Sequence, residues 1–143
     1  MHHIEEKIVL EKSHENEEMY LKAIWLLEED GARPIHASDM AKLLKISLPS
    51  ASEMLKRMAY KKFVSYSCRG GITLMPAGPK MAEKVVRNLR LTELLFRDVL
   101  KIDHNSESVC RFEHVITDEI ALALKKLLRN PRKCPHGISI PGI

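Results

Sequence analysis

The sequence predicts a mainly α-helical protein: a winged helix-turn-helix over residues 1–75, then an all-helical unit over residues 76–143. Three observations carry this reading. Apolar residues recur at three- and four-residue spacing through most of the chain. Helix, short helix, turn, helix and hairpin signals follow one another over residues 14–75, the order of a winged helix-turn-helix. The same region concentrates basic charge: residues 33–75 hold eight basic and two acidic side chains, net +6, against net −6 over residues 1–32. An electropositive unit of this kind suits a phosphate backbone, although charge alone fits a solvated lysine-rich face equally well.

The elements follow in order. Residues 14–29 read as an amphipathic helix, with Met19, Ile24 and Leu27 near helical spacing. Ser13 is its expected N-cap and Gly31 its end. Ser38 is expected to cap a short helix from Asp39 to Leu44, followed by the turn Lys45, Ile46, Ser47. A third helix is expected from about Pro49 to Tyr60, with Ser50 and Glu53 at capping-box spacing. Two β-type runs, Phe63 to Ser67 and Ile72 to Met75, flank a turn at Arg69, Gly70 and Gly71. In such a fold the third helix reads the major groove and the hairpin lies along the backbone.

Past Pro76, apolar residues from Met81 to Val99 predict one long helix ending near Leu100. A polar break over residues 103–106 precedes a helix carrying Cys110, and Thr117 or Asp118 caps a last helix to about Leu128. That helix holds more apolar surface (Ile120, Leu122, Leu124, Leu127, Leu128) than a short terminal helix needs, the mark of an oligomer surface. A two-fold dimer reading a palindrome is expected. The tail from Asn130 reads as extended and irregular.

Composition narrows the class. A hydrophobic content of 45% is ordinary for a globular chain and supports a real core. No apolar run reaches the roughly 18 residues of a membrane span, and the acidic N-terminus does not read as a signal peptide. Cys68, Cys110 and Cys134 are odd in number and far apart, which points to a reducing cytoplasm with thiols left for metal.

Cys110, Glu113 and His114 stand at i, i+3 and i+4, so a helix places thiol, carboxylate and imidazole on one face. That trio can hold a divalent transition metal but leaves coordination positions open. Taken singly, Cys110 reads as an inert thiol and His114 equally well as a core histidine; their shared face with Glu113 favours the metal. Metal-controlled regulation of transcription follows from the two features together.

At this point the chain closely resembles the diphtheria toxin repressor family of iron- and manganese-dependent regulators. The matching runs are Glu18 to Leu21, Ser47 to Ser50, Gly71 to Leu74, Arg90 to Leu95, Cys110 to Val115 and Cys134 to Gly142. No single run is diagnostic; their order and spacing are. The resemblance implies a regulatory metal site at Met19, Cys110, Glu113 and His114, where Met19 by itself reads as a core methionine. It also implies a metal-loaded homodimer that represses from palindromic operator DNA and is not an enzyme. The family's second metal site falls on Leu89, Glu93 and Ser106, and Leu89 has no donor atom, so that site is expected to be absent or rebuilt. Cys134 and His136 offer two further donors, although Pro135 and Gly137 also read as a plain turn. The SH3-like domain of larger relatives has no counterpart before the sequence stops at Ile143.

Thioether, thiolate, imidazole and a single carboxylate lean toward iron(II) over manganese(II), with cobalt(II), nickel(II) and zinc(II) as substitutes. DNA contacts are expected from Ser47, Pro49, Ser50, Ser52 and Glu53 at the start of the reading helix. Lys56, Arg57 and, at the wing tip, Arg69 are expected to meet phosphates. A manganese-responsive regulator of the same fold, and a winged-helix sensor using Cys110 as a redox thiol, remain as alternatives. A metalloenzyme finds no support in a nucleophile–base pair or a glycine-rich phosphate loop.

Overall fold

The computed structural model describes residues 17–67 and 69–142. The expected Ser13 cap, the start of the first helix, and Cys68 lie outside the described residues. The described chain is mainly helical and forms two compact units, divided between Ala82 and Glu83. Met81 and Ala82, in the first turns of a long helix, pack into the N-terminal core.

In the N-terminal unit, helix α1 covers residues 17–29 and is followed by α2 (Ala37–Leu44) and α3 (Leu48–Tyr60). Strands β1 (Val64–Ser67) and β2 (Gly71–Leu74) pair antiparallel, Val64 opposite Leu74 and Ser67 opposite Gly71. Leu21, Ile24, Met40, Leu55, Met58 and Ile72 are essentially sealed from solvent and form its core. This is a winged helix-turn-helix. The α2 start differs from expectation: its N-cap is His36, whose backbone N–H donates to the Asp39 carboxylate, and Ser38 lies inside the helix. The α3 start differs too. Ser47 is the cap, its hydroxyl accepting from the Ser50 N–H at 3.2 Å, so Ser50 is the capped residue and not the cap.

Helices α1, α2 and α3 end in one geometry. An N–H five residues on bonds back to the last turn: Ala32 to the Leu27 carbonyl, Ile46 to Ala41, Phe63 to Met58. The residue before each donor takes a left-handed conformation, as this motif requires. It is Gly31 in the first case, but Lys45 (φ 56°) and Lys62 (φ 63°) in the others. A side chain there costs on the order of 1 kcal/mol relative to glycine. Lys62→Gly is therefore expected to stabilise the N-terminal unit by about 0.5–1 kcal/mol, checked by urea denaturation.

In the C-terminal unit, the long helix α4 (Ala77–Leu94) runs on into a π-helical stretch, Leu95–Leu100. Then come α5 (Glu107–Glu113) and α6 (Asp118–Leu127). Leu91, Leu94, Phe96, Val109, Ala121 and Leu124 form its core. The tail is not irregular, as expected, but folded. Ile140 N–H donates to the Arg132 carbonyl, Cys134 N–H to Ile138, and Gly137 N–H to Cys134. Buried Arg90 fastens it from α4, donating to the Ser139 carbonyl at 2.7 Å. Backbone groups in a tail need partners when buried, and a guanidinium supplies several donors at once.

Asp118 opens α6 beneath the Thr117 cap and takes hydrogen bonds from Arg87 and Lys84, both at 3.0 Å. Those bonds, Arg87 first, hold its carboxyl below the usual carboxylate range. A group with a lowered folded-state pKa stabilises above its unfolded pKa and loses that effect as pH falls through the folded value. The C-terminal unit is thus expected to lose stability on acidification below about pH 4, the ordinary Asp range. Asp118→Asn should flatten that slope in pH-dependent thermal melts.

Candidate metal centres and nucleic-acid interface

Cys110 and Glu113 lie on α5, and His114 is its C-cap with helical dihedrals, so the three keep the i, i+3, i+4 relation. Their environments differ. Cys110 is exposed, Glu113 is 2% exposed and His114 lies between. Glu113 Oε1 and His114 Nε2 are 3.8 Å apart. A carboxylate sealed this deeply is stable only with compensating positive charge or donors, and a divalent ion fits that requirement. Met19 belongs to the N-terminal unit, half-buried on α1, where it lines a cavity of about 320 Å³ with Tyr20, Ile46, Glu53, Met54 and Arg57. Burial raises the Tyr20 hydroxyl above its ordinary pKa, opposed by the nearby Arg57 charge.

A second cluster is assembled by the folded tail. The donor atoms of Glu93, Cys134 and His136 lie within 4.8 Å of one another. Glu93 Oε2 is 3.1 Å from His136 Nδ1, and Cys134 Sγ is 3.9 Å from the same nitrogen. His136 Nε2 meets Asn105 Oδ1 at 2.9 Å. Glu93 and Cys134 are buried and His136 is exposed. The turn at Pro135 and Gly137 exists as the plain reading required, and it is what swings Cys134 and His136 to Glu93 on α4. A carboxylate, a thiolate and an imidazole together suit a borderline divalent ion. Leu89 packs against the C-terminal core and Ser106 caps α5, its hydroxyl donating to the Asp103 carbonyl at 3.3 Å. Sequence reasoning missed Asn105; the signal, a polar loop facing a histidine, is purely tertiary.

The reading helix presents Pro49, Ser50, Glu53, Lys56 and Arg57 to solvent, and Arg69 is exposed beside the wing turn. Ser47 is also exposed, but its hydroxyl donates to Ser50 Oγ at 2.8 Å while accepting from the Ser50 N–H. Half-buried Ser52 lies 3.5 Å from the Tyr66 hydroxyl of β1, a wing partner that sequence reasoning did not single out. Buried Glu17 on α1 pairs with Lys61 just beyond α3.

Comparison with known proteins adds the following. The profile of the iron dependent repressor N-terminal DNA binding domain matches residues 12–72. The profile of the iron dependent repressor metal binding and dimerisation domain matches residues 75–142. The diphtheria toxin repressor of Corynebacterium diphtheriae is 36% identical over 128 residues, covering 88% of this chain and 56% of that protein. The iron-dependent repressor IdeR of Mycobacterium leprae is 35% identical over 88% of this chain and 55% of its own length. The chain thus spans about half the length of the curated relatives it matches. Among solved structures, a manganese-dependent transcriptional repressor in complex with manganese superposes with a TM-score of 0.82 at 27% identity, over 88% of this chain and 58% of that one. A hypothetical protein from Sulfolobus solfataricus superposes with a TM-score of 0.66 at 27% identity, over 88% of this chain and 97% of that one.

Proposed function

The chain belongs to the iron-dependent repressor family, and from that premise we propose that it is a metal-activated repressor binding palindromic operator DNA as a homodimer. The observation that carries the metal is Glu113, a carboxylate 2% exposed and followed directly by an imidazole, on the helix that bears Cys110. We assign the regulatory ion to Cys110, Glu113 and His114; Met19 joins the set through the family resemblance. The bound ion supplies positive charge to the buried carboxylate and favours the operator-competent population. Iron(II) is the preferred ion, because sulfur and nitrogen donors outnumber the oxygen donor.

DNA binding rests on the exposed face of α3 with its net-basic surroundings. Pro49, Ser50, Ser52 and Glu53 serve the bases, and Lys56, Arg57 and Arg69 the phosphates. Dimerisation is supported by exposed apolar side chains of the C-terminal unit: Val115 (63%), Leu122 (54%) and Leu127 (58%). Glu93, Cys134 and His136 form a second, tail site for a borderline ion. No helix of the described residues is long and apolar enough to cross a membrane, and the cytoplasm is the proposed location.

The test is anaerobic titration of the full chain against duplexes selected from a random pool, with iron(II), manganese(II) or chelator. Binding should tighten with iron(II) at lower concentration than with manganese(II). Equal binding with and without chelator would sink the proposal.

A further inference from the structure

Leu48, the first residue of α3, is apolar without belonging to the core. It follows the Ser47 cap and is 51% exposed, while Ala51, Met54, Leu55 and Met58 make the buried face of the helix. A leucine adds nothing to a helix start, where proline or an acidic residue does better. We propose that Leu48 is a specificity-determining residue for DNA, its side chain packing on the methyl group of a thymine in the major groove. The proposal rests on α3 as the reading helix and adds to it one residue and the base feature that this residue recognises.

Charge, position and leftover chemistry choose the occupant. Lys42 and Lys45 precede Leu48, Lys56 and Arg57 follow it on α3, and all four are exposed. The first turn of α3 holds no acidic side chain; Glu53 comes only in the next turn. Such surroundings suit a polyanion, whereas the centre of a protein–protein interface is depleted of lysine. The N-terminal residues of a reading helix are the ones that meet base edges, and Leu48 stands there between exposed Ser47 and Pro49. The neighbouring hydroxyls are partly committed to each other: Ser47 Oγ donates to Ser50 Oγ at 2.8 Å and accepts from the Ser50 N–H at 3.2 Å. Leucine itself offers only apolar contact, and the thymine methyl is the apolar feature of the major-groove edge. Cytosine presents an amino group there instead, so the contact discriminates.

Taking one methyl group out of water corresponds to about a three- to fivefold change in affinity. A dimer on a two-fold operator makes the contact twice, so losing it in both half-sites corresponds to about 10–25-fold.

The experiment uses the full chain with iron(II), without oxygen, on a duplex selected from a random pool. Each symmetry-related pair of thymines is replaced in turn by deoxyuridine, which removes the methyl group and keeps the base pair. At one position the replacement should weaken binding by the parent about 10–25-fold. Leu48→Ala should bind the thymine duplex more weakly by a similar factor and be indifferent to deoxyuridine at that position, the strong coupling of a double-mutant cycle. If deoxyuridine costs the variant as much as the parent at every position, or costs neither, the proposal is overturned while α3 stands as the reading helix. Unchanged DNA affinity in Leu48→Ala overturns it too, and leaves this side chain to a protein partner. If the parent selects no duplex, the reading of α3 fails and the Leu48 contact fails with it. A measurement without a variant covers misfolding: in the zinc(II)-loaded parent with isotope-labelled leucine methyl groups, nuclear Overhauser contacts should join Leu48 to a thymine methyl of the bound duplex. Assigned Leu48 methyl signals without such a contact overturn the proposal.

Discussion

Glu113→Gln is expected to abolish metal activation while leaving the metal-free protein folded and its weak DNA binding intact. The substitution keeps shape and volume but removes the negative charge from a position 2% exposed to solvent. A neutral amide is a poor ligand, and the ion loses the one carboxylate of its proposed set. Allosteric coupling of about 1–3 kcal/mol corresponds to an affinity change of about 5–150-fold, and that whole factor is expected to disappear. Fluorescence anisotropy on a selected duplex, with iron(II) and with chelator, measures it. Circular dichroism of the metal-free variant checks the fold. Full activation in the variant would remove the carboxylate from the regulatory site. Loss of activation with the fold retained also separates metal control from thiol sensing by Cys110, which the amide leaves untouched.

Gly71→Ala is expected to cost the N-terminal unit about 2–5 kcal/mol, the sum of a left-handed residue and an overpacked contact. Gly71 opens β2 at φ 75°, and an added Cβ would stand 2.7 Å from the Ile35 carbonyl oxygen and 2.9 Å from Pro34 Cβ. That carbonyl cannot retreat freely, because it accepts the Ile72 N–H at 2.8 Å and sets the bridge between Ile35 and Ile72. Gly31 has φ 81° but open space where its Cβ would sit, so Gly31→Ala pays the conformational term alone, about 1–2 kcal/mol. Urea denaturation of the two variants should separate strain from collision. Equal losses would mean that the Ile35 backbone gives way. Because the wing turn lies between β1 and β2, the Gly71 variant should also bind DNA more weakly.

The order of elements was readable because each N-terminal helix carries its own stripe and stop. Met54, Leu55 and Met58 on α3 are buried as their spacing requires. The hairpin register follows from a short turn that leaves Ser67 opposite Gly71. Helix starts were less readable. At α2, Ser38 has the better capping chemistry, but the chain enters the helix at His36, where Ile35 is pinned to β2. The π-helical stretch Leu95–Leu100 leaves no trace in a pattern read at 3.6 residues per turn. The i, i+3, i+4 spacing of Cys110, Glu113 and His114 is local and could be read from sequence, but among the described residues the structure does not gather their donor atoms within 4.8 Å of one another as it does those of Glu93, Cys134 and His136. The tail cluster could not: Glu93 is far in sequence from Cys134 and His136, and tertiary contacts such as the Arg90 bond to the tail and the tail's own backbone bonds bring them together.

The leading edge of α3 is already organised before any duplex arrives. Ser47 and Ser50 hold each other through two hydrogen bonds, and Tyr66 lies within reach of Ser52. These hydroxyl rotors have little freedom left to surrender, so encounter with a groove asks for small rotameric rearrangement there. The hydroxyls also arrive with part of their hydrogen-bonding capacity spent. If α3 is the reading helix, as proposed, what these hydroxyls would add at the grooves is best carried by bridging solvent and by fit to local helix shape, a tolerant reading whose selectivity sits in the geometry of the duplex.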